Sequence, residues 1–233
     1  MSVNIAIVRF PGSNCEFDAE QAINRLGANA RIVWHQEHDL EEFDGVIIPG
    51  GFAHGDYLRC GAIARFSPVM DAVTRLAELG GPVLGICNGF QVLTEAGLLP
   101  GALMRNAGLR FVCATVEVEI ASNHSPLTKE VALGERLRLP VNHGEGNYTC
   151  DETTLADIES HGQVVLRYVD NPNGSLNDIA GISNRAGNVV GLMPHPERAF
   201  DLVVGSEDGV PLLASFVHSV KAFAARHIAV GQA

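Results

Sequence analysis

The sequence predicts an α/β fold: a central, mostly parallel sheet flanked by helices, with an additional antiparallel sheet portion. Short segments such as residues 82–86 are apolar throughout and alternate with helical patterns, which is typical of parallel strands covered on both faces. After Gly97, apolar and charged residues alternate instead, which indicates antiparallel strands with one face in solvent. Because no repeat or linker interrupts these patterns, we expect a single domain over residues 1–233.

The first half of the chain contains four apolar segments that we expect to be strands: 4–10, 30–34, 45–48 and 82–86. Ser13 and Glu16 form a capping-box pattern at the start of the helix that follows the first strand. Gly27 ends this helix, whose apolar residues recur at helical spacing: Ala19, Ala22, Ile23 and Leu26. Ser67 and Pro68 open a second helix, because proline at the first helical position gives up no hydrogen bond.

In the second half, the alternating strands are expected at residues 116–120 and 136–141. Further apolar segments predict strands at 164–169 and 189–193. The chain then closes with an amphipathic helix, which is indicated by four apolar residues at helical spacing: Leu213, Phe216, Val217 and Val220.

Composition excludes several classes of protein. Sixteen basic and 27 acidic residues give a formal net charge of −11, which argues against coating nucleic acid, and an apolar content of 46% argues against disorder. No apolar run approaches the roughly 18 residues of a membrane span, and Arg9 interrupts the first apolar stretch too soon for a secretory signal. We therefore expect a cytoplasmic protein that binds neither nucleic acid nor membranes.

The cysteines and histidines do not follow metal-site or disulfide spacings. Five widely spaced cysteines are expected to be free thiols: Cys15, Cys60, Cys87, Cys113 and Cys150. All but Cys87 are expected to be structural. His35 and His38 lack zinc-ligand spacing and are expected at the surface, and no metal site is predicted.

The most informative segment, residues 82–91, places Cys87 between Gly85 and Gly89 where an apolar strand meets a helix. This is the sulfur version of a nucleophile elbow, in which flanking glycines allow a sharp turn. The N-terminus of the following helix favours a thiolate, and its free N–H groups, beginning with Asn88, can bind an oxyanion. The alternative is a buried structural cysteine in a tight turn.

A thiolate that transfers an acyl group needs a base and a group that orients the base. His195 and Glu197 offer both at the end of a predicted strand, since residues two apart in extended chain project to the same side. The alternative is a loop histidine beside a solvated glutamate. A glycine-rich loop over residues 47–59 leaves the third strand at the same sheet edge, and amides near Gly51 and Phe52 offer a second oxyanion donor.

These three segments, in this order, resemble the class I (triad-type) glutamine amidotransferases. The resemblance extends over nearly the whole chain to the glutaminase subunits of phosphoribosylformylglycinamidine synthase, through segments 9–16, 50–59, 85–91, 104–106, 143–146, 168–175 and 193–198. It implies a flavodoxin-like class I glutaminase fold. The implied activity is hydrolysis of L-glutamine to glutamate and ammonia, which a synthetase uses to convert formylglycinamide ribonucleotide (FGAR) to formylglycinamidine ribonucleotide (FGAM) in purine synthesis.

The resemblance also implies residue roles. Cys87 would form the glutamyl thioester, His195 would be the acid and base, and Glu197 would orient His195. The amides of Asn88 and of Gly51 or Phe52 would form the oxyanion hole. Two residues would contact the bound glutamine: Gly50 and Gln91. Since this triad is complete, two further candidates are left with a packing or interface role: His143 and Glu145.

The chain contains no Gly-Lys pair of a phosphate-binding P-loop and no dinucleotide fingerprint, so no cofactor is expected on it. The resemblance implies that ATP and magnesium lie on a large synthetase subunit, that a small bridging subunit joins the complex through which ammonia is channelled, and that the free glutaminase is poorly active. Two other functions stay open on the residues alone. One is a stand-alone cysteine hydrolase, and the other is a non-catalytic binding module.

Overall fold

A computed structural model describes residues 2–231 of the chain. In it, the uniformly apolar segments form the central strands. The strands are β1 Asn4–Arg9, β2 Asn29–Trp34, β3 Gly45–Ile48, β4 Val83–Ile86, β5 Ala102–Met104, β6 Val112–Ile120, β7 Arg136–His143, β8 Asn147–Thr149, β9 Val164–Tyr168, β10 Ile179–Ser183 and β11 Val189–Leu192. The α-helices are α1 Glu16–Arg25, α2 Val69–Glu78, α3 Asn88–Glu95, α4 Glu152–Ser160 and α5 Val210–Gly231. No helix within residues 2–231 has the length and apolar content needed to cross a membrane.

One mixed sheet dominates the described residues, with strand order β2-β1-β3-β4-β11-β10-β9-β6-β7. The pairs from β2 to β11 are parallel, and those from β11 to β7 are antiparallel. Strands β3, β4, β10 and β11 are buried along their whole length, as expected for strands covered on both faces. Helix α3 packs on β3, β4 and β11, and α1 contacts α5. The predicted fold class is therefore confirmed.

The antiparallel portion continues the main sheet instead of forming a separate layer. In β7, buried and solvent-facing positions alternate, as predicted from the sequence. A second, two-stranded sheet pairs β5 with β8, and the sequence analysis predicted neither strand. Each has only three residues, too few for a periodic pattern. Neither α4 nor β10 was predicted; Ile158 is the one buried residue of α4, and Leu155 is only partly buried, so the apolar pattern of this helix is weak.

Topology brings the ends of several strands together. Since β1, β3, β4 and β11 are parallel, the segments that follow them leave the sheet at the same edge. These segments contain residues 10–15, 49–60, 87 and 193–198. All of the predicted triad and oxyanion residues therefore lie at one edge of the sheet.

Two local predictions are wrong. Ser13 does not cap α1: its Oγ accepts a hydrogen bond from the Phe10 N–H (3.0 Å), and Glu16 pairs with Arg9 (3.0 Å) instead of closing a capping box. The reason is that the loop after β1 pairs with the glycine-rich loop, where the Cys15 N–H donates to the Gly50 carbonyl (3.2 Å).

His35 is buried, not at the surface. Its Nδ1 lies 3.1 Å from Ser67 Oγ, and its ring meets the His54 ring edge-on at 5.1 Å. The residue follows β2 directly, and the start of α2 covers it, since the Val69 N–H donates to the His35 carbonyl. His38 is exposed, as predicted.

Candidate active site

Cys87 occupies a strained turn between β4 and α3. Its φ of 51° and ψ of −104° are unfavourable for a residue with a Cβ, and such strain is retained at sites where a side chain must be presented in one direction. The Cys87 N–H donates to the Leu192 carbonyl (2.8 Å), which ties the turn to the end of β11. The thiol donates to the Asn142 carbonyl (3.6 Å).

The glycines on both sides of Cys87 are required by close backbone contacts. A Cβ at Gly89 would lie 1.9 Å from the carbonyl oxygen of Ile48 in β3. A Cβ at Gly85 would lie 2.7 Å from the carbonyl carbon of Gly89. The first turn of α3 therefore presses against both neighbouring strands, and this fixes the position of the thiol. The elbow geometry predicted from the sequence is present.

His195 and Glu197 form a buried pair beside this turn. His195 Nδ1 lies 2.6 Å from Glu197 Oε1, and the two side chains are almost completely inaccessible to solvent. The carboxylate is an acceptor only, so Nδ1 carries a proton, and Nε2 is the ring nitrogen that can gain or lose one. Nε2 has no hydrogen-bond partner in the part of the chain that the structure describes. It is the nitrogen available to Cys87.

The electrostatic environment favours the imidazolium form of His195. Burial by itself lowers the pKa of His195, but the negative charge of Glu197, together with that of Cys87 in its thiolate form, opposes this and raises the pKa well above its ordinary value. The predicted extended backbone between His195 and Glu197 is wrong. Glu197 lies in a 3₁₀ turn, Pro196–Arg198. The turn still brings the carboxylate behind the ring.

Cys15, which the sequence analysis took to be structural, also contacts His195. One ligand atom from each of Cys15, His195 and Glu197 lies within 4.8 Å of the others, and Arg198 Nη2 lies 3.1 Å from the Cys15 sulfur. Burial raises the pKa of the Cys15 thiol. Cys87 therefore remains the better candidate nucleophile, since Cys15 lacks the strained elbow and stays protonated. The His195–Glu197 hydrogen bond already joins two of these three groups, and we assign them no metal.

Two amides are placed to receive an oxyanion. Asn88 is the first residue of α3, so its N–H has no acceptor within the helix. Gly51 lines the cavity beside Cys87, whereas the Phe52 N–H donates to the Gly12 carbonyl (2.9 Å) and is already occupied. The Gly51 amide is therefore a better candidate for the second oxyanion donor than the Phe52 amide. Gly50 packs against the base, since a Cβ there would lie 2.7 Å from His195 Cε1.

Cys87 lies where two small cavities meet. Both are lined by Gly51, Phe52, Cys87, Phe111 and Asn142. The first, of about 200 Å³, continues past Asn14, Cys15, His195 and Arg198. The second, of about 180 Å³, continues past Asp56, Cys60, Gln91, His143, Gly144 and Glu145. A small substrate in either cavity therefore lies beside Cys87.

Gln91, a predicted glutamine contact, is part of the wall of the second cavity. Its Nε2 donates to the Glu145 carbonyl (2.5 Å), and its Oε1 accepts from Asn88 Nδ2 (2.9 Å). Asn88 in turn accepts from the Ala53 N–H (3.0 Å). The carboxamides of Asn88 and Gln91 thus connect the elbow helix to the glycine-rich loop and to the loop after β7.

His143 is buried in the same wall and is neutral. Asn106 Nδ2 donates to the carbonyls of His143 and Arg110 (both 2.9 Å), so its Oδ1 must accept, here from His143 Nδ1 (3.1 Å) and the Gly146 N–H (3.0 Å). The proton of His143 is therefore on Nδ1. Burial, with the nearby charge of His195, lowers the pKa of His143 to about 4.

This depressed pKa predicts a pH dependence of stability. Because the folded state disfavours the charged form, the stabilisation is fully present above the ordinary pKa of 6.5 and is lost as pH falls through about 4. A shift of this size corresponds to about 3 kcal/mol in the free energy of unfolding. We expect His143→Gln to flatten the decline between pH 7 and pH 4 in urea denaturation. Exposed His38→Gln is the matched control, and equal slopes for the two variants would contradict the assignment.

Comparison with known proteins assigns the chain to a family. The family model for the CobB/CobQ-like glutamine amidotransferase domain matches residues 2–209. Phosphoribosylformylglycinamidine synthase subunit PurQ from Synechococcus elongatus is 54% identical over 221 residues, which cover 94% of this chain and 100% of the relative. The chain belongs to the PurQ family of glutamine amidotransferases. The PurQ subunit of a second Synechococcus strain matches with the same identity and coverage.

Solved structures agree with membership of the PurQ family. The structure of PurLQS from Thermotoga maritima superimposes with a TM-score of 0.87 at 41% identity, over 94% of this chain and 99% of the matched chain. A glutamine amidotransferase from Thermotoga maritima matches with a TM-score of 0.60 at 18% identity, over 95% of this chain and 97% of that one. At that identity the second match reflects a common fold alone.

The structure brings the predicted site residues of this PurQ-family chain to one place and adds others. Cys87, His195 and Gly51 line one small cavity, and Asn88 follows Cys87 as the first residue of α3. Among the residues that line the two cavities, sequence reasoning gave no role at the site to Cys15, Asp56 and Cys60. Asp56 has a weak local signal, since it follows two glycines and a histidine in the glycine-rich loop. Cys15 and Cys60 have none, because only the sheet order places them beside the site.

Proposed function

We infer that this chain is the glutaminase subunit of a phosphoribosylformylglycinamidine synthase. It hydrolyses L-glutamine to glutamate and ammonia, and the ammonia is used in the ATP-dependent conversion of FGAR to FGAM in purine biosynthesis. The observation that carries this function is the Cys87 elbow facing the buried His195–Glu197 pair in a chain that matches PurQ subunits over 94% of its length. We treat residues 1–233 as a single amidotransferase domain.

In the proposed reaction, His195 Nε2 takes the proton of the Cys87 thiol, and the thiolate attacks the side-chain carbonyl carbon of glutamine. The resulting oxyanion accepts hydrogen bonds from the Asn88 and Gly51 amides, and one such donor contributes about 3 kcal/mol of transition-state stabilisation in comparable sites. His195 Nε2–H protonates the departing nitrogen, so ammonia leaves as the C–N bond breaks. His195 then removes a proton from water, which attacks the thioester carbonyl; the C–S bond breaks, the Cys87 thiolate leaves, and glutamate is released. Glu197 holds the ring in the required tautomer throughout.

The ammonia needs an acceptor on another protein. We propose that ATP and magnesium bind a large synthetase subunit, while a small bridging subunit completes the assembly. The absence of a P-loop pattern from this sequence supports this division of labour. We propose that the chain acts in the cytoplasm, together with the rest of this complex. Ammonia would travel inside the complex, because in bulk water near neutral pH it is mostly protonated and no longer nucleophilic.

An apolar rim around the site supports docking of the large subunit there. Phe52 and Phe111, which border both cavities, are 48% and 55% exposed. In the adjoining loop, Tyr57 is 73% and Leu58 is 90% exposed. Exposed aromatic and aliphatic side chains next to a reaction site are typical of a surface that a partner covers. We propose that the synthetase covers this rim.

Covalent labelling with an electrophilic glutamine analogue tests the function and the partner together. We expect stoichiometric modification at Cys87, located by peptide mapping, with protection by L-glutamine and a faster rate when the synthetase subunit is added. The double variant Tyr57→Ser and Leu58→Ser should need a higher synthetase concentration for the same rate. Failure to label Cys87 under either condition would contradict the glutaminase function, and a rate that the synthetase leaves unchanged would contradict the docking proposal.

A further inference from the structure

A cavity of about 550 Å³ opens at the edge of the sheet opposite the catalytic residues. Two of its lining residues, Pro82 and Asn188, directly precede the parallel strands β4 and β11. Cys87 and His195 lie beyond the other ends of the same two strands. The volume is within the range of roughly 300–1,000 Å³ that is typical of small-molecule sites. The cavity is therefore separate from the glutaminase site and large enough to hold a ligand of its own.

The cavity is basic, although the whole chain has a net charge of −11. Lys129, which is one of only two lysines in the sequence, lines it together with Arg226, His124 and His227. No Asp or Glu lines it among the residues that the structure describes, and residues 228–233 contain no acidic side chain. Like charges that converge on a concave surface produce a potential that attracts the opposite charge. The lining therefore favours an anionic ligand.

The segment that carries Lys129 is held against helix α5 by several hydrogen bonds. The carbonyl of Pro126, which lines the cavity, accepts from Ser215 Oγ (3.0 Å) and from Ser219 Oγ (3.2 Å). The Glu130 N–H donates to Ser215 Oγ (3.2 Å), and the Glu130 carboxylate pairs with His218 of the same helix. The acidic neighbour of Lys129 thus has a partner on α5. The wall is therefore formed before any ligand binds, which lowers the entropic cost of binding.

The other side of the cavity is apolar and continues into a second cavity of about 360 Å³. Leu79, Phe223 and His227 line both cavities. Leu79 is 65% exposed at the junction, and the rings of Phe223 and His227 lie 4.3 Å apart. The second cavity adds an apolar floor, one arginine and three carboxylates, those of Asp39, Glu41 and Asp44. A ligand that occupies both cavities therefore has its negative charge in the first and an uncharged part in the second.

We propose that these two cavities bind a nucleoside monophosphate, with its phosphate between Lys129 and Arg226. A guanidinium binds phosphate oxygens in a bidentate manner, and a lysine ammonium adds a compact positive charge. The flat base packs on Leu79 and Phe223 at the junction. The ribose hydroxyls are donors, and the carboxylates of the second cavity accept hydrogen bonds from them. A phosphate, an aromatic ring and a sugar thus each have a matching part of the wall.

The test is a calorimetric titration of the full chain with adenosine monophosphate (AMP), adenosine and inorganic phosphate. We expect AMP to bind with a Kd below about 1 mM, and the other two compounds to bind at least about tenfold more weakly. Lys129→Gln and Arg226→Gln should each raise the Kd for AMP by about 10- to 100-fold, the range for a hydrogen bond to a charged group. Labelling of Cys87 at the opposite edge should stay unchanged, which reports that each variant is folded.

A matched control is Lys221→Gln, which removes the other lysine from helix α5 outside both cavities and should leave the Kd for AMP unchanged. Backbone amide spectra locate the ligand. AMP should shift the signals of residues 123–129 and 186–188 and leave those of residues 85–91 in place.

Four results would overturn the proposal. The first is no binding of AMP to the unmodified chain, and the second is an equal loss of affinity in Lys129→Gln and Lys221→Gln, which would indicate attraction by overall charge. The third is binding of adenosine or inorganic phosphate as tightly as AMP, because one half of the predicted contacts would then be missing. The fourth is a set of spectral shifts confined to residues 85–91, which would place AMP at the catalytic edge.

Discussion

Cys87→Ser is expected to lower glutamine hydrolysis by about 10³-fold or more, because a serine hydroxyl beside an imidazolium does not replace the thiolate as nucleophile. The same complex should still make FGAM from added ammonium salts, since the substitution leaves the synthetase intact. Steady-state assays with glutamine and with ammonium chloride as nitrogen source measure both activities. The side chain is nearly isosteric, so the fold and the complex should be retained.

Two other cysteines serve as controls for this result. Cys113→Ser changes an exposed thiol on β6 and should leave both activities unchanged. Cys15→Ser keeps a small polar side chain against His195 and Arg198 and should retain measurable glutaminase activity. If Cys87→Ser kept full activity and Cys15→Ser lost it, the roles of the two thiols would be reversed. If neither change mattered, a binding module would be the better interpretation.

Gly89→Ala is expected to destabilise the protein by about 3 kcal/mol or more, which is at the upper end for overpacking. The reason is that the new Cβ would lie 1.9 Å from the Ile48 carbonyl oxygen, and both partners are backbone in a buried turn. Denaturant unfolding would measure the change in the free energy of unfolding. Cys87 labelling should fall as well, because any relief of the contact moves α3 away from β3.

Gly108→Ala is the matched control for this prediction. No heavy atom lies within 4 Å of the position that its Cβ would take. Its free energy of unfolding should stay within about 0.5 kcal/mol of the unmodified protein. Equal stability of the two alanine variants would show that the turn after Cys87 is loosely packed and that the glycine spacing does not arise from steric contact.

The sequence predicted those strands and helices that a short segment identifies by its own composition or spacing. Strands β3, β4 and β11 are buried on both faces, so their apolar composition was sufficient to identify them. The Ser13 capping box failed because a loop from another strand competes for the same backbone groups. Strands β5 and β8 are stable only as a pair that joins residues more than 40 positions apart, which no short window of sequence contains.

The sequence by itself determined the candidate nucleophile, since Gly85, Cys87 and Gly89 lie within five residues of one another. It also determined the candidate base and its orienting group, since His195 and Glu197 are two residues apart. Only the tertiary structure decided which amides are free, where Cys15 lies, and that Asp56, His143 and Glu145 line one cavity. The physical reason is distance along the chain: Cys15 and Arg198 are 183 residues apart and meet only because parallel strands end at one edge. Functional residues that belong to one turn can be identified from a short stretch of sequence. A site formed by residues of several loops depends on the order of strands in the sheet.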